Sequence, residues 1–161
     1  MRKILLFGGK FALVDDEDYE FLNQWKWYQH FSGMVVRNEP LDVVIDRMHR
    51  QSVVFMHRVI MNTPKGMDTD HIDGNRQNNQ KGNLRVCSHS ENMRNRKLNK
   101  NSTSGYKGVH WSSKYRTWIA RIQVNGSRLY LGKFHNLEDA ARIYDKEAKK
   151  HHGAFAKLNF E

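Results

Sequence analysis

An α+β fold is predicted for this 161-residue chain by three features of its sequence. Short β-branched and aromatic runs separated by turn residues fill the N-terminal part. Two strand-like segments, around Asp70 and Leu84, lead directly into helix-start residues at Ser88. Three strands of alternating polarity and one stretch of helical periodicity fill the C-terminal part. The expected architecture is a small, mostly antiparallel β module at 1–57, a strand-pair-and-helix centre at 58–97, a basic linker at 98–104, and a three-stranded antiparallel sheet packed on one helix at 105–161.

Composition narrows the partners. The net charge is +10 and the isoelectric point is 9.8, which points to a polyanion, because Lys and Arg that neutralise phosphates release counterions. The distribution is sharper than the total. Met1 to His57 carries seven basic and eight acidic residues, whereas Arg58 to Glu161 carries twenty basic and nine acidic. Arg94 to Lys133 holds ten Lys or Arg and no Asp or Glu, against the usual interspersion of signs on a solvated surface. A single cysteine, Cys87, excludes an internal disulfide framework and a Cys-rich zinc site. The apolar run after Met1 stops at Gly8-Gly9, too short for a signal peptide, and no stretch is long enough to span a membrane. A cytoplasmic, unsecreted protein of a bacterial cell or phage-infected host is expected, acting as a monomer with no membrane partner; the sequence identifies no protein partner.

In the N-terminal module, Ile4 to Phe7 and Phe11 to Val14 flank Gly8-Gly9-Lys10 as a hairpin, and the acidic run from Asp15 opens a short helix reaching Leu22. Trp25, Trp27, Tyr28 and Phe31 are expected to form the core, since large aromatics dominate burial in small folds. Val35-Val36, Val43-Val44-Ile45 and Val53-Val54-Phe55-Met56 supply further strands. Met56 to Met61 reads as a helical turn or short helix, with Arg58 a candidate phosphate contact and His57 a surface or structural residue rather than an aid to proton transfer.

The centre carries the chemistry. Asp70 is a hard oxygen ligand suited to Mg²⁺ or a similar cation, and the adjacent His71 is a natural general base because imidazole titrates near neutrality. Neighbours on a strand point to opposite faces, so one can hold metal while the other works from a different side where the strand twists or ends. Asp73-Gly74-Asn75 carries turn chemistry in which Asp73 and Asn75 bond their own backbone. Asn83 is placed to tie the loop and hold the His71 backbone. Ser88 and Glu91 form a capping box, which puts Asn92 about one turn into the helix, with its side-chain oxygen available to complete a metal pair with Asp70.

The segment Asp68 to Lys97, with Asp70-His71, Asn83 and Ser88-His89-Ser90-Glu91-Asn92-Met93, resembles the HNH (His-Asn-His) nuclease motif, most closely the phage-type homing endonucleases. The resemblance implies a ββα-metal centre of two antiparallel strands and a helix. It makes Asp70 and Asn92 the metal ligands, His71 the general base and Asn83 the middle asparagine of the site, with Mg²⁺, or Mn²⁺ in its place, as cofactor. It also implies double-stranded DNA as substrate, 5′-phosphate and 3′-hydroxyl ends, and a phage or prophage setting. Arg85 and Arg94 are candidates for flanking phosphates, and the linker with Arg94, Arg96 and Lys97 suits a DNA groove.

In the C-terminal module, strands are expected over Tyr106 to Trp111, Thr117 to Val124 and Ser127 to Phe134, with Asn125-Gly126 as a type I′ turn. One sheet face is apolar and the other basic and aromatic. Asn136 caps a helix whose Leu137, Ala140, Ala141, Tyr144 and Ala148 meet the apolar face, and Gly153 ends it. Tyr106-Lys107-Gly108-Val109, Trp118-Ile119-Ala120, Leu131-Gly132-Lys133-Phe134, Glu138-Asp139-Ala140-Ala141, Tyr144-Asp145 and Leu158-Asn159-Phe160 resemble the plant ethylene-response-factor (apetala-two type) DNA-binding domain. That family lays its sheet in the major groove, and by position His110, Tyr115, Arg121, Gln123, Arg128 and Tyr130 would face DNA.

A homing-type, metal-dependent DNA endonuclease is therefore expected. Its rivals are a non-catalytic, sequence-specific DNA-binding regulator with a degenerate HNH fold, and an RNA-binding scaffold, which the basic sheet face disfavours for lack of a clear stacking-aromatic signature.

Overall fold

A computed structural model describes residues 1–40, 51–96, 98–99 and 101–160. The expected strand at Val43-Val44-Ile45 and the expected DNA contact Lys97 lie outside them. The chain is mixed α and β, and it divides into two compact units, Met1–His89 and Ser90–Glu161.

The first unit holds strands β1 (Arg2–Phe7), β2 (Phe11–Val14), β3 (Trp27–Gln29), β4 (Val35–Pro40) and β5 (Gln51–Phe55), with helices α1 (Asp16–Leu22) and α2 (Met56–Ile60). The strands form one sheet in the order β2-β1-β3-β4-β5. It is mostly antiparallel, with one parallel pair between β1 and β3. Gly8 and Gly9 both take positive φ, which lets the β1–β2 connection turn tightly. Alternation along β1 buries Ile4 and Leu6, and these pack with Ala12, Val14, Leu22, Trp27, Val35 and Met56 as the core. Of the expected aromatic core, Trp27 is fully buried and Trp25 packs at its edge, but Phe31 is 96% exposed. It falls in the turn between β3 and β4, where the backbone closes a hydrogen bond from Gly33 N to His30 O and carries the ring outward.

The same unit contains a two-stranded antiparallel ladder, β6 (Asp68–His71) with β7 (Leu84–Cys87), joined by a long polar loop. The N-terminal sheet holds that loop. Leu13 N donates to Gln77 O and Leu13 O accepts from Asn79 N, both at 2.8 Å. The Asp15 carboxylate accepts from Gln80 Nε2 at 3.0 Å and Lys81 N at 2.8 Å. These bonds lower the Asp15 pKa below its ordinary value, the one from Gln80 contributing most. Gln77 Nε2 donates to Gly33 O at 2.9 Å, and Arg76 reaches Ser32 O. An amide-rich loop can thus be ordered without an apolar core of its own, because its backbone groups find partners on Leu13 and Asp15 and its side chains reach the β3–β4 turn.

Helix α3 (His89–Arg94) starts directly after Ser88, at the division between the units. The second unit then builds β8 (Val109–Ser112), β9 (Thr117–Val124) and β10 (Ser127–Phe134) into an antiparallel sheet of order β10-β9-β8, followed by α4 (Leu137–His152). Asn125 and Gly126 both have positive φ, as the hairpin turn requires. The Asn136 side chain accepts from Glu138 N and Asp139 N to cap α4, and Gly153 ends the helix with φ 53°. Val109 and Ala120 meet Ala140 and Ala141, whose small side chains let helix and sheet approach closely. Two details differ from the sequence reading. The first strand begins at Val109 rather than Tyr106, because Gly105 and Gly108 both take positive φ. A bulge between Tyr130 and Gly132 also interrupts the simple alternation expected of β10.

Candidate functional site

On β6 the register sets Asp70 opposite Arg85 and His71 opposite Leu84. Adjacent strand residues face opposite ways, so the carboxylate and the imidazole enter different surroundings. Asp70 is 7% exposed, and its Oδ2 accepts from Arg85 Nε at 2.9 Å and Nη2 at 2.7 Å. Arg85, expected at a DNA phosphate, is therefore engaged by protein.

His71 is 4% exposed, and its Nε2 lies 3.3 Å from Asn79 Oδ1. Asn79 is 0% exposed and its own Nδ2 donates to Arg76 O, which turns the amide oxygen toward the ring. An oxygen can only accept, so Nε2 carries the imidazole proton and Nδ1 keeps the lone pair. Burial holds the His71 pKa below its usual value; the Asn79 bond opposes that shift. A neutral ring is the state a general base needs. Asn79 was not singled out from sequence, since it is one of several amides in the loop and its partners lie on β6 and on β2.

A second histidine stands behind the first. The rings of His57 and His71 are 5.2 Å apart, centroid to centroid, at 65°. His57 is buried on α2, and its Nδ1 has no hydrogen-bond partner among the described residues. Burial, aided by His71, pushes its pKa down to about 3. The unfolded chain takes up this proton near pH 6.5 and the folded chain only near 3. Stability is therefore full above about pH 6.5 and drains as pH falls toward 3, at up to ~1.4 kcal/mol per pH unit. His57→Phe should flatten that acid limb in urea melts taken between pH 7 and 4, and an unchanged limb would assign the acid lability elsewhere.

Asn83 braces the loop rather than the His71 backbone. Its Oδ1 accepts from Asp73 N at 3.0 Å, and its Nδ2 donates to Asp73 Oδ1 at 2.9 Å and Asn78 O at 2.8 Å. Its carbonyl accepts from Ile72 N, one residue past His71. Asp73 Oδ1 also accepts from Asn75 N, the self-bonded turn expected there. Burial resists ionisation of Asp73, but the bonds from Asn78, Asn75 and Asn83 outweigh it and lower the pKa. Arg58 donates to Met67 O at 2.7 Å and also to the carbonyls of Thr63 and Pro64. Its fork ties down the turn leading into β6 instead of standing open to phosphate.

No cluster of three or more His, Cys, Asp or Glu that could hold a metal occurs among the described residues. The donor chemistry at Asp70 nonetheless fits a hard divalent cation, which needs only one or two carboxylates plus water and substrate oxygens. The carboxylate is nearly buried and already has a cation, the Arg85 guanidinium, against one oxygen.

In the second unit Asn92 and Arg94 lie on α3, with Arg96 just beyond. Lys107 Nζ donates to Arg94 O at 2.5 Å and Arg96 O at 2.8 Å, closing the end of that helix. Burial brings the Lys107 pKa down to about 8. On the sheet, cross-strand partners share a face: Arg121 pairs with Tyr130, Gln123 with Arg128, and His110 with Ile119. Ala120, Ile122 and Val109 pack on the α4 side, so His110, Arg121, Gln123, Arg128 and Tyr130 gather on the other, with Lys133. Tyr115, in the β8–β9 turn, has Lys133 Nζ 3.3 Å above its ring. The expected DNA-facing set is thus contiguous, basic and aromatic. No described helix is long and apolar enough to cross a membrane.

Residues 54–94 match the HNH endonuclease family. Protein 3.8 of Escherichia phage T7 is 38% identical over 95 residues, covering 59% of this chain and 78% of that protein. The uncharacterized HNH endonuclease L560 of Acanthamoeba polyphaga mimivirus is 28% identical over 151 residues, covering 94% of this chain and 75% of its own length. Dehydration-responsive element-binding protein 2A of Arabidopsis thaliana is 40% identical over 65 residues, 37% of this chain but only 18% of the plant protein.

Proposed function

We propose that this chain, which belongs to the family of phage T7 Protein 3.8 and carries an HNH endonuclease segment, is a homing-type endonuclease that hydrolyses phosphodiester bonds of duplex DNA. The observation that carries the reading is His71: within the family-matched segment, it is a buried imidazole whose pKa burial holds below its usual value and whose Nε2 lies 3.3 Å from the buried amide oxygen of Asn79.

In this reading Nδ1 of His71 takes the proton from the attacking water. Asn79 holds the ring, and Asn83 acts through the loop, keeping Ile72 and Asp73 in place beside it. Asp70 and, from the family resemblance, Asn92 would be the ligands of one divalent cation, Mg²⁺ first and Mn²⁺ in its place. When bound, that cation stabilises charge on the scissile phosphate and on the leaving 3′ oxygen. Products are 5′-phosphate and 3′-hydroxyl ends. Arg94, Arg96 and Lys97 follow the backbone of the duplex, while His110, Tyr115, Arg121, Gln123, Arg128 and Tyr130 lie in its major groove and set where cutting occurs. Arg58 supports the site by shaping the turn before β6. The N-terminal sheet is a scaffold for the 72–83 loop, and the 105–161 module is the DNA reader.

Plasmid nicking or linearisation by the purified chain with Mg²⁺ or Mn²⁺ tests the activity, and no cleavage with either metal would sink it. A non-catalytic DNA-binding regulator is the second reading, favoured by the Asp70–Arg85 ion pair, since a carboxylate already holding a cation resembles a retired metal ligand. That reading requires duplex binding without cleavage. Under either one, neutralising about six phosphates gives a slope of log affinity against log salt near −5. A flat salt response would remove the basic tract from the interface.

A further inference from the structure

We propose that Arg85 is a built-in counter-cation for Asp70, which a divalent ion must displace, and that DNA draws the released guanidinium onto a backbone phosphate, so that metal and DNA bind cooperatively. The inference rests on the proposed metal role of Asp70 and adds what governs access to it.

The antiparallel register of β6 and β7 delivers the pair, because Asp70 and Arg85 are direct cross-strand partners. Nε and Nη2 of Arg85 both donate to the same carboxylate oxygen, Oδ2, at 2.9 and 2.7 Å. The Asp70 side chain is 8% exposed. A carboxylate with so little water around it needs a positive partner at all times, since an unpaired buried charge is strongly disfavoured. Guanidinium and divalent cation therefore compete as counter-ions for the same carboxylate. Arg85 has the reach to leave: its side chain is 17% exposed, and a long flexible stem can carry the head to solvent while the stem stays packed.

The consequence is thermodynamic. While Arg85 holds Asp70, a metal sees a competent ligand only in the fraction of molecules where the pair is open, and its apparent affinity falls by that fraction. A phosphate offers the guanidinium an equivalent bidentate acceptor. Bound DNA thus opens the pair, and by reciprocity the metal that takes Asp70 strengthens DNA binding by the same factor. The chain would remain metal-poor until it is on its substrate.

The test is Mn²⁺ binding, read as free Mn²⁺ by electron paramagnetic resonance, with and without a phosphorothioate duplex of random sequence that resists cleavage. Without DNA, Arg85→Met is expected to bind Mn²⁺ about ten-fold more tightly than the parent, as removal of such a competitor predicts. Arg85→Lys, which keeps the charge but loses the fork, should shift the same way by less, and circular dichroism reports whether each variant is folded. The duplex should tighten Mn²⁺ binding by the parent and leave Arg85→Met nearly unchanged. Folded Arg85 variants that bind Mn²⁺ no more tightly than the parent would overturn the proposal, as would a parent whose Mn²⁺ affinity ignores DNA. Asp70→Asn separates the two layers. Loss of Mn²⁺ binding upholds Asp70 as ligand whatever Arg85 does, whereas retention of parental affinity removes the metal reading itself and the latch with it.

Discussion

His71→Ala should lower the single-turnover rate of DNA cleavage by about 10² to 10⁴-fold while duplex binding stays within about two-fold of the parent. The rate effect follows from the loss of a group whose protonation state and orientation are both prepared: burial holds its pKa below the usual value, and Asn79 orients the ring. Binding should hold because the acid-free basic tract, Arg94 to Lys133, lies in the other compact unit. The substitution also leaves Asn79 Oδ1 without its partner and opens space beside His57, so a stability loss of about 1–3 kcal/mol is expected in parallel. Asn79→Leu removes the ring's support while leaving His71 present. It should slow cleavage without weakening DNA binding, and Asn79→Asp, which still offers an acceptor oxygen, should recover part of the rate. The decisive measurement pairs quenched-flow cleavage with mobility shift and a thermal melt on the same preparations. If His71→Ala cuts at the parental rate while folded, water is activated by another group and the proposed mechanism is wrong.

The sequence revealed what is local and concealed what is not. Asn125-Gly126, the Asn136 cap and the Gly8-Gly9 turn were legible because each acts through its own backbone φ or a side chain two or three residues away. The positions of Asp70 and His71 on a strand, and of β7 after the long loop, were legible from pattern and turn chemistry. The partners of those side chains were not. Asn79 matters because Leu13, sixty-six positions earlier, holds its backbone N–H, and no local signal distinguishes it from Asn75 or Asn78. Arg58 and Arg85 read alike as candidate phosphate contacts, and the protein groups they touch, the carbonyls before β6 and the Asp70 carboxylate, were not legible because composition reports charge but not its partners. The aromatic cluster was half right for the same reason. Trp27 sits on a strand whose face is buried, whereas Phe31 sits four residues on in a turn that faces out. The sequence makes His57 a surface or structural residue, and the structure buries it beside His71, a contact that depends on α2 meeting β6 and that no local signal shows.

Gly108→Ala should destabilise the second unit by about 3–5 kcal/mol and abolish tight DNA binding there. Gly108 has φ 76°, a conformation that already disfavours any residue with a Cβ. A Cβ built at this position would collide with the ring of Tyr144 and stand 2.7 Å from Arg121 O. Neither neighbour can give way easily. Arg121 belongs to the central strand and donates its own N–H to Gly108 O at 2.8 Å. Tyr144 is held between Ile122 and Ala148, with burial pushing its phenol up to about 12. Gly105 supplies the internal control: its φ is 72°, but nothing lies within 4 Å of a Cβ added there, so Gly105→Ala should cost only the backbone strain. The difference between the two variants isolates the packing part, expected at about 1–3 kcal/mol. Because the glycines lie in the unit that carries the basic sheet face, mobility shift with duplex DNA should follow the melts, with Gly105→Ala retaining binding and Gly108→Ala losing it. Equal melting of the two variants would mean that the close approach of Gly108 to Tyr144 does not hold the helix on the sheet, and that the reading face rests on other contacts.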